Sequence, residues 1–289
     1  MKITKEQQIL LDGLICERLC ENPDSGSLIR NFENSKGELI VQYLKDYGIK
    51  EDAEGSTAYY IVRTQENDVL LFFSLKCGVL FDPLNEAEVD HYRDLPIIQA
   101  LDNAAPDLDI REKVDAQLKE ISQSKGISIE KARNILRYKF EKFIALRSEK
   151  ETEPNENIAR VSRTYPGIEL VHFCTNTNDK VRERWNKFGF KRPMGEIIFW
   201  SKISPKFFEV QRIVGCEYAY LFAADLSENR TLINYYNLAL KFEADMDRGT
   251  TKPFYDFSCS FMCQKLSKLE QNRNTYFENF NIDEDDLYV

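Results

Sequence analysis

IELVHFCTN (168–176), KRPMGEIIFWSKISPKFFEVQRIVG (191–215), EYAYLFAAD (217–225) and NRTLINYYNLALKF (229–242) make up the stretch that decides the fold. Two short apolar runs alternate with two longer segments of helical period, so the order is strand, loop, helix, strand, helix. A turn containing Gly195 follows the first strand and opens a helix. Backbone N–H groups at such a place can hold a phosphate. Gly215 closes that helix, and Ser204-Pro205 predicts a kink within it. Ser227 or Asn229 is the expected N-cap of the next helix, with Asp225 ordering the turn.

Working outward, AYYIVRT (58–64) and VLLFFSLKCGVLF (69–81) flank QEND and predict a β-hairpin. The second arm is almost wholly apolar, as a central strand buried on both faces would be. Residues 5–21 carry helical spacing, LIRNF (28–32) reads as a short strand, and KGELIVQYLKDYG (36–48) reads as an amphipathic helix closed by Gly48. KEDAEGS (50–56) reads as a turn. From Asp82 the composition becomes charged, and 109–126 and 127–151 predict two helices. Residues 85–160 are therefore expected to be a helical insertion between two strands of one sheet; a crossover helix layer is the alternative. KPFYDFSCSFMCQKL (252–266) predicts a long strand, and the acidic tail 279–289 is expected to fray.

With 43% hydrophobic residues, the 289-residue chain has ample material for a core. The net charge of −9 argues against binding nucleic acid by neutralising phosphates, and suits cationic substrates such as amines. No apolar run reaches membrane-spanning length, and the N-terminus lacks a signal-peptide pattern. The seven cysteines then suggest reduced thiols and a cytoplasmic protein. Cys16/Cys20 and Cys259/Cys263 are spaced by four, the first pair on one helix face and the second on one side of a strand. The two His lie far from both pairs, so buried thiols fit better than a zinc site.

The assembled order resembles the GNAT (Gcn5-related N-acetyltransferase) superfamily over residues 28–84 and 165–266. The resemblance rests on the hairpin 58–81, on Arg192-Pro193-Met194-Gly195-Glu196-Ile197, on YLFAAD (220–225), and on Asn229 with Tyr236 seven residues later. The family's pyrophosphate loop has Arg or Gln, two residues, Gly, one residue, then Gly or Ala. Arg192 and Gly195 match and Ile197 departs. Gly-Phe after the helix Tyr is replaced by Lys241-Phe242.

The resemblance implies an α/β mixed sheet, a GNAT-like acyl-CoA transferase fold. Residues 1–84 would hold its first helices and strands and 161–289 the remainder, with 85–160 inserted. It implies an N-acetyltransferase moving an acetyl group from acetyl-CoA to a primary amine, small molecule or peptide, without metal. A homodimer contact through the insertion fits this picture. Acetyl-CoA would lie between the strands at 168–175 and 218–224. The Phe173 or Cys174 amide would hold the thioester carbonyl. Lys191, Arg192, Met194, Gly195, Glu196 and Asn229 would form the cofactor side. Tyr236 would protonate the leaving thiolate, with Tyr235 its neighbour.

A carboxylate in an apolar strand is costly unless used or paired, so Glu169 is the first candidate for a base and His172 the second. Each has a structural alternative: a paired Glu169, a satisfied core His172. Strict alternation puts Glu169, Val171 and Phe173 on one face and Leu170, His172 and Cys174 on the other. Pro193, which lacks an N–H, Glu196, which repels an anion, and Ile197 favour a second reading, a catalytically inactive GNAT-like binding or regulatory protein.

Overall fold

The hairpin forms as its alternation predicts. In the computed structural model, which describes residues 3–83, 108–133, 161–225, 227–244, 248–251 and 259–278, β1 (Ile15–Arg18) pairs antiparallel with β2 (Ala58–Arg63). β2 pairs antiparallel with β3 (Val69–Pro83) across the Thr64–Asp68 turn, where Asn67 takes a positive φ of 68°. Residues 69–75 of β3 are all buried, and Lys76 and Cys77 are exposed, so its first half alone is sandwiched.

Next in the sheet comes β4 (Val161–Thr175), then β5 (Tyr218–Ala223). The short β6 (Glu243–Ala244), β7 (Gly249–Thr250) and β8 (Ser260–Lys265) complete eight strands in the order β1-β2-β3-β4-β5-β8-β6, with β7 on the far end of β3. β4 and β5 run parallel, whereas β1–β2, β2–β3, β3–β7, β5–β8 and β6–β8 are antiparallel, which makes the sheet mixed. Contacts divide the chain into a unit of residues 1–81 with 164–289 and a second unit of residues 82–163. In the second unit a helix spans Leu108–Lys125 and another turn starts near Ser128, whose Oγ accepts from the Lys131 N–H. The expected helical stretch beyond 133 and the strand residues 252–258 lie outside the described residues, as does the tail.

Among the described residues two large cores pack on the sheet, and a smaller cluster gathers Leu80, Tyr165, Tyr218, Tyr220 and Cys263. One large core holds Phe73, Ile168, Leu170, Trp200, Phe207 and Leu221 under the helical run 194–214. The other large core holds Leu19, Phe32, Leu44, Tyr59 and Phe72 under the helical run 38–54.

Several expectations are corrected. The first helix is Lys5–Gly13, with a Thr4–Gln7 capping box, and stops there because Leu14 is extended. Ile15–Arg18 then joins the sheet and Leu19–Glu21 forms a 3-10 turn, so Cys16 and Cys20 share no helix face. Strand pairing outweighs a helical spacing that spans too few residues to be decisive. LIRNF is a helical end and turn, not a strand. Gly48 does not close its helix. Its φ is −55°, and a Cβ there would lie 3.0 Å from the Leu44 side chain and 3.5 Å from Tyr59, so it is a close-packing position. The helical run continues through 50–54, expected to be a turn, and ends at Gly55 with φ 74°. A helix at Leu266–Glu278, not expected from the sequence, packs Leu266 and Leu269 into the first core.

Pro205 does not break its helix. A π-turn at Phe199–Ile203 precedes it, and the Trp200 carbonyl accepts from Ser204 Oγ at 2.9 Å and Arg273 Nε at 3.2 Å. Gly215 closes this helix with φ 69°, as expected.

Candidate functional site

The site begins where β4 and β5 part. They are paired at only three positions: Gly167 with Tyr218, Ile168 with Ala219, and Glu169 with Tyr220. Beyond Glu169, β4 runs on to Thr175 while β5 stays with β8. The parting leaves a cleft of about 1710 Å³ lined by Phe173, Cys174, Phe222 and Tyr236 among others.

The faces of β4 show how it leaves its neighbour. Ile168 and Leu170 lie in the first core, and Phe173 packs against that same core. Cys174 lies in the second core, and His172 stacks on Tyr59 of that core. A strict two-residue period cannot give this, so β4 slips by one residue between Leu170 and Phe173. The expected alternation is corrected accordingly: Phe173 shares a face with Leu170. Glu169 shares its face with Tyr220, whose Oη donates to Glu169 Oε2 at 3.3 Å.

One end of the cleft is the start of the 194–214 helical run. Pro193 is the N-cap, and the first helical bond is Ile197 N–H to Pro193 O at 3.2 Å. The N–H groups of Met194, Gly195 and Glu196 make no hydrogen bond among the described residues. Pro193 therefore removes no donor from this trio, which sits at the positive end of the helix dipole. Arg192, 60% exposed, and Arg182 line the same end.

Gly195 has a packing role besides. A Cβ there would lie 3.0 Å from Tyr235 Oη, 3.1 Å from Thr175 Cγ2 and 3.2 Å from Phe173 Cζ. Gly195→Val is expected to cost about 1–3 kcal/mol by overpacking. A lowered urea midpoint at unchanged slope would show it; an unchanged midpoint would mean that the helix start yields freely.

Tyr236 stands across the cleft from β4. Its ring centroid is 6.4 Å from that of Phe173, and its Oη makes no hydrogen bond among the described residues. Burial raises its pKa above the usual phenol value, so it stays protonated. The helix Thr231–Leu238 that carries it is held by Asp225, whose Oδ2 accepts the Leu232 and Ile233 N–H groups at 2.8 and 2.9 Å. Hydrogen bonds, led by that from the Ser227 hydroxyl, hold the Asp225 pKa down at about 2. The N-cap is Arg230, with a φ of 51° and no side-chain cap bond, not Ser227 or Asn229; the helix-start N–H groups are instead accepted by Ser227 Oγ, from Thr231, and by Asp225. Asn229 lies in the turn, outside the cleft lining, and its carbonyl accepts from Asn234 Nδ2 at 3.2 Å.

Not all the sequence candidates meet. Glu169, His172, Phe173, Cys174, Arg192, Met194, Gly195 and Tyr236 line the cleft; Lys191, Glu196 and Asn229 do not. Glu196 points into the protein, 4% exposed, with its pKa raised by burial and Arg192 Nε 3.9 Å away. Burial weakens its ionisation and Arg192 offsets its charge, which lessens the objection that it repels an anion. His172 does not keep an ordinary pKa: burial pushes it down to about 4, and its Nδ1 lies 2.8 Å from Ser74 Oγ. It is neutral at pH 7 but a weak base. Burial pushes the Cys174 thiol up to about 12, which removes it as a nucleophile. Among the described residues no group of three or more His, Cys, Asp or Glu could hold a metal ion. No described helix is long and apolar enough to cross a membrane.

Sheet order and parted parallel strands define a mixed α/β fold. The solved structures to which the chain is similar in fold include a mutant of KacT, at 9% identity over 90% of this chain and 99% of that one, with a TM-score of 0.46. AtaTR bound with AcCoA is similar at 11% identity over 90% and 98%, with a TM-score of 0.45. AtaT complexed with acetyl-methionyl-tRNA is similar at 11% identity over the same shares, with a TM-score of 0.38. No family model matches the chain, and no curated protein matches its sequence.

Proposed function

We propose that this chain is an acetyl-CoA-dependent N-acyltransferase acting on a primary amine. One observation carries the reading: the cleft that opens past Glu169 and Tyr220 has free helix-start N–H groups with arginines at one end, and a protonated Tyr236 beside it. A pyrophosphate needs convergent donors and positive charge, and that end supplies both. The thioester would then lie between β4 and β5. There the edge of β4 has no strand partner past Glu169, leaving amides for the carbonyl oxygen.

In the reaction the amine nitrogen attacks the thioester carbonyl. The C–N bond would form first, giving an oxyanion whose collapse to the amide would break the C–S bond. The departing thiolate would take its proton from Tyr236, which would regain one from solvent as Glu169 releases the amine's proton. The amine's proton passes to Glu169, the better base given the low His172 pKa. The products are the N-acylated amine and free CoA.

Thermal denaturation with acetyl-CoA tests the reading. At a hundred times its Kd the ligand adds about 2.7 kcal/mol. Arg192→Ala is expected to shrink that shift; because it also removes the cation 3.9 Å from buried Glu196, the shift is read against the variant's own unliganded Tm. No shift at millimolar acetyl-CoA would end the proposal. The second reading, a binding protein without catalysis, keeps one favouring observation, the weak base at His172. It would be upheld by acetyl-CoA binding without turnover on any amine.

A further inference from the structure

Part of the cleft lining gathers aromatic side chains around the Glu51 carboxylate. Glu51 comes from the 49–54 helix and is half-buried. Tyr43 Oη donates to its Oε1, and Tyr59 Oη donates to its Oε2 at 2.9 Å. The two hydroxyls fix the carboxylate without neutralising it. Lys45 and Lys76 line the same cleft, but neither forms an ion pair with Glu51. His172 completes the wall. Its ring lies 5.8 Å from Tyr43 and stacks at 5.5 Å on Tyr59, which is fully buried beneath it. Tyr43, Glu51 and His172 all face the cleft.

Glu51 has no basic partner among the described residues, and a carboxylate fixed by two phenol hydroxyls in a partly desolvated cleft is suited to an organic cation. An anion would be repelled, and a neutral ligand would forgo the charge. The neutral state of His172 adds no opposing charge. Leu39 and Ile40, both exposed, continue the lining as an apolar rim beside Tyr43.

We infer that Glu51, Tyr43 and His172 form the docking site for an organic ammonium group, so that the acceptor is an alkylammonium compound. The assignment of this cation as the acceptor rests on the acyltransferase reading; the cation site itself does not. Tyr59 is a positioning residue, acting on the ligand through Glu51.

The test uses butylammonium at pH 7.5 with the full chain and no acyl donor, so that nothing turns over. Binding is followed by NMR through the tyrosine and histidine ring signals. Butylammonium is expected to move the Tyr43 and His172 signals, and butan-1-ol is expected not to. Glu51→Gln keeps the side-chain shape and is expected to weaken binding about tenfold, in line with losing a desolvated charge contact. Tyr59→Phe is expected to weaken it less. Equal binding of butylammonium and butan-1-ol, or equal binding by wild type and Glu51→Gln, would overturn the site. The acetyl-CoA shift is measured on the same samples. Cation binding without that shift would leave the site standing and remove the transferase reading; the shift without cation binding would do the reverse.

Discussion

Tyr236→Phe is expected to lower kcat by about 10²–10⁴, the usual range for loss of a positioned general acid. The substitution removes one oxygen and leaves the ring that packs 6.4 Å from Phe173. The phenol Oη has no protein hydrogen bond among the described residues, so its loss leaves no described partner unsatisfied. Acetyl-CoA affinity and Tm should therefore stay near those of the wild type, and the loss should fall on kcat and kcat/KM alike. Burial raises the pKa of this group, so the wild-type rate should show no alkaline limb from Tyr236 below about pH 10. Tyr235→Phe is the matched control. It lines the same cleft, but its hydroxyl lies against Gly195 and its ring stacks on Phe173. A mild effect there with a severe one at Tyr236 would assign the acid. Equal kcat in wild type and Tyr236→Phe would take Tyr236 out of the mechanism and return it to packing.

The strands that make the cleft were legible because their composition leaves few choices. VLLFFSL and AYLFA are too short for helices and too apolar for loops, and QEND supplies the turn between the first pair. Gly215 and Asp225 were legible as local signals, a left-handed C-cap and a turn carboxylate. What escaped depends on partners distant in sequence. β1 has four residues and takes its form from β2. The one-residue slip in β4 appears only when Leu170 and Phe173 are seen in the same core. Gly195 read as a phosphate-loop residue, yet its packing against Thr175 and Tyr235 is visible only in three dimensions. Glu51 read as part of a polar turn because Gly48 looked like a helix stop. A π-turn at Leu44–Gly48 carries the helical run through instead, and brings Tyr43 and Glu51 together.

Asp52→Ala is expected to be among the most destabilising single changes in the chain, at about 3 kcal/mol. Its side chain is 0% exposed and serves three elements at once. Oδ1 accepts from Arg18 Nη2 at 2.8 Å and from the Tyr59 N–H at 2.9 Å, while Oδ2 accepts the Cys20 N–H at 2.8 Å. Alanine leaves those donors without their acceptor in a closed site. Arg18 is 30% exposed and can turn to water, which puts the cost at the lower end of the range for broken buried pairs. At about 2–4 °C per kcal/mol the Tm should fall by roughly 6–12 °C. Lys50→Ala is the contrast: its pair with Glu54 is 3.8 Å long with both side chains mostly exposed, so the change should be close to zero. Acid gives an independent reading. Burial alone would raise the Asp52 pKa, but the Cys20 and Arg18 hydrogen bonds outweigh it and hold the pKa below the usual value. A depressed carboxylate adds stability above its unfolded pKa near 4 and loses it as pH falls further. The stability gap between wild type and Asp52→Ala should therefore narrow below about pH 4. Because Asp52 anchors the helix that presents Glu51, the same variant should also weaken butylammonium binding, although it touches no ligand. A Tm within 2 °C of the wild type, roughly what about 1 kcal/mol would give, would show that Arg18, Cys20 and Tyr59 find other partners, and that the helix does not depend on this carboxylate.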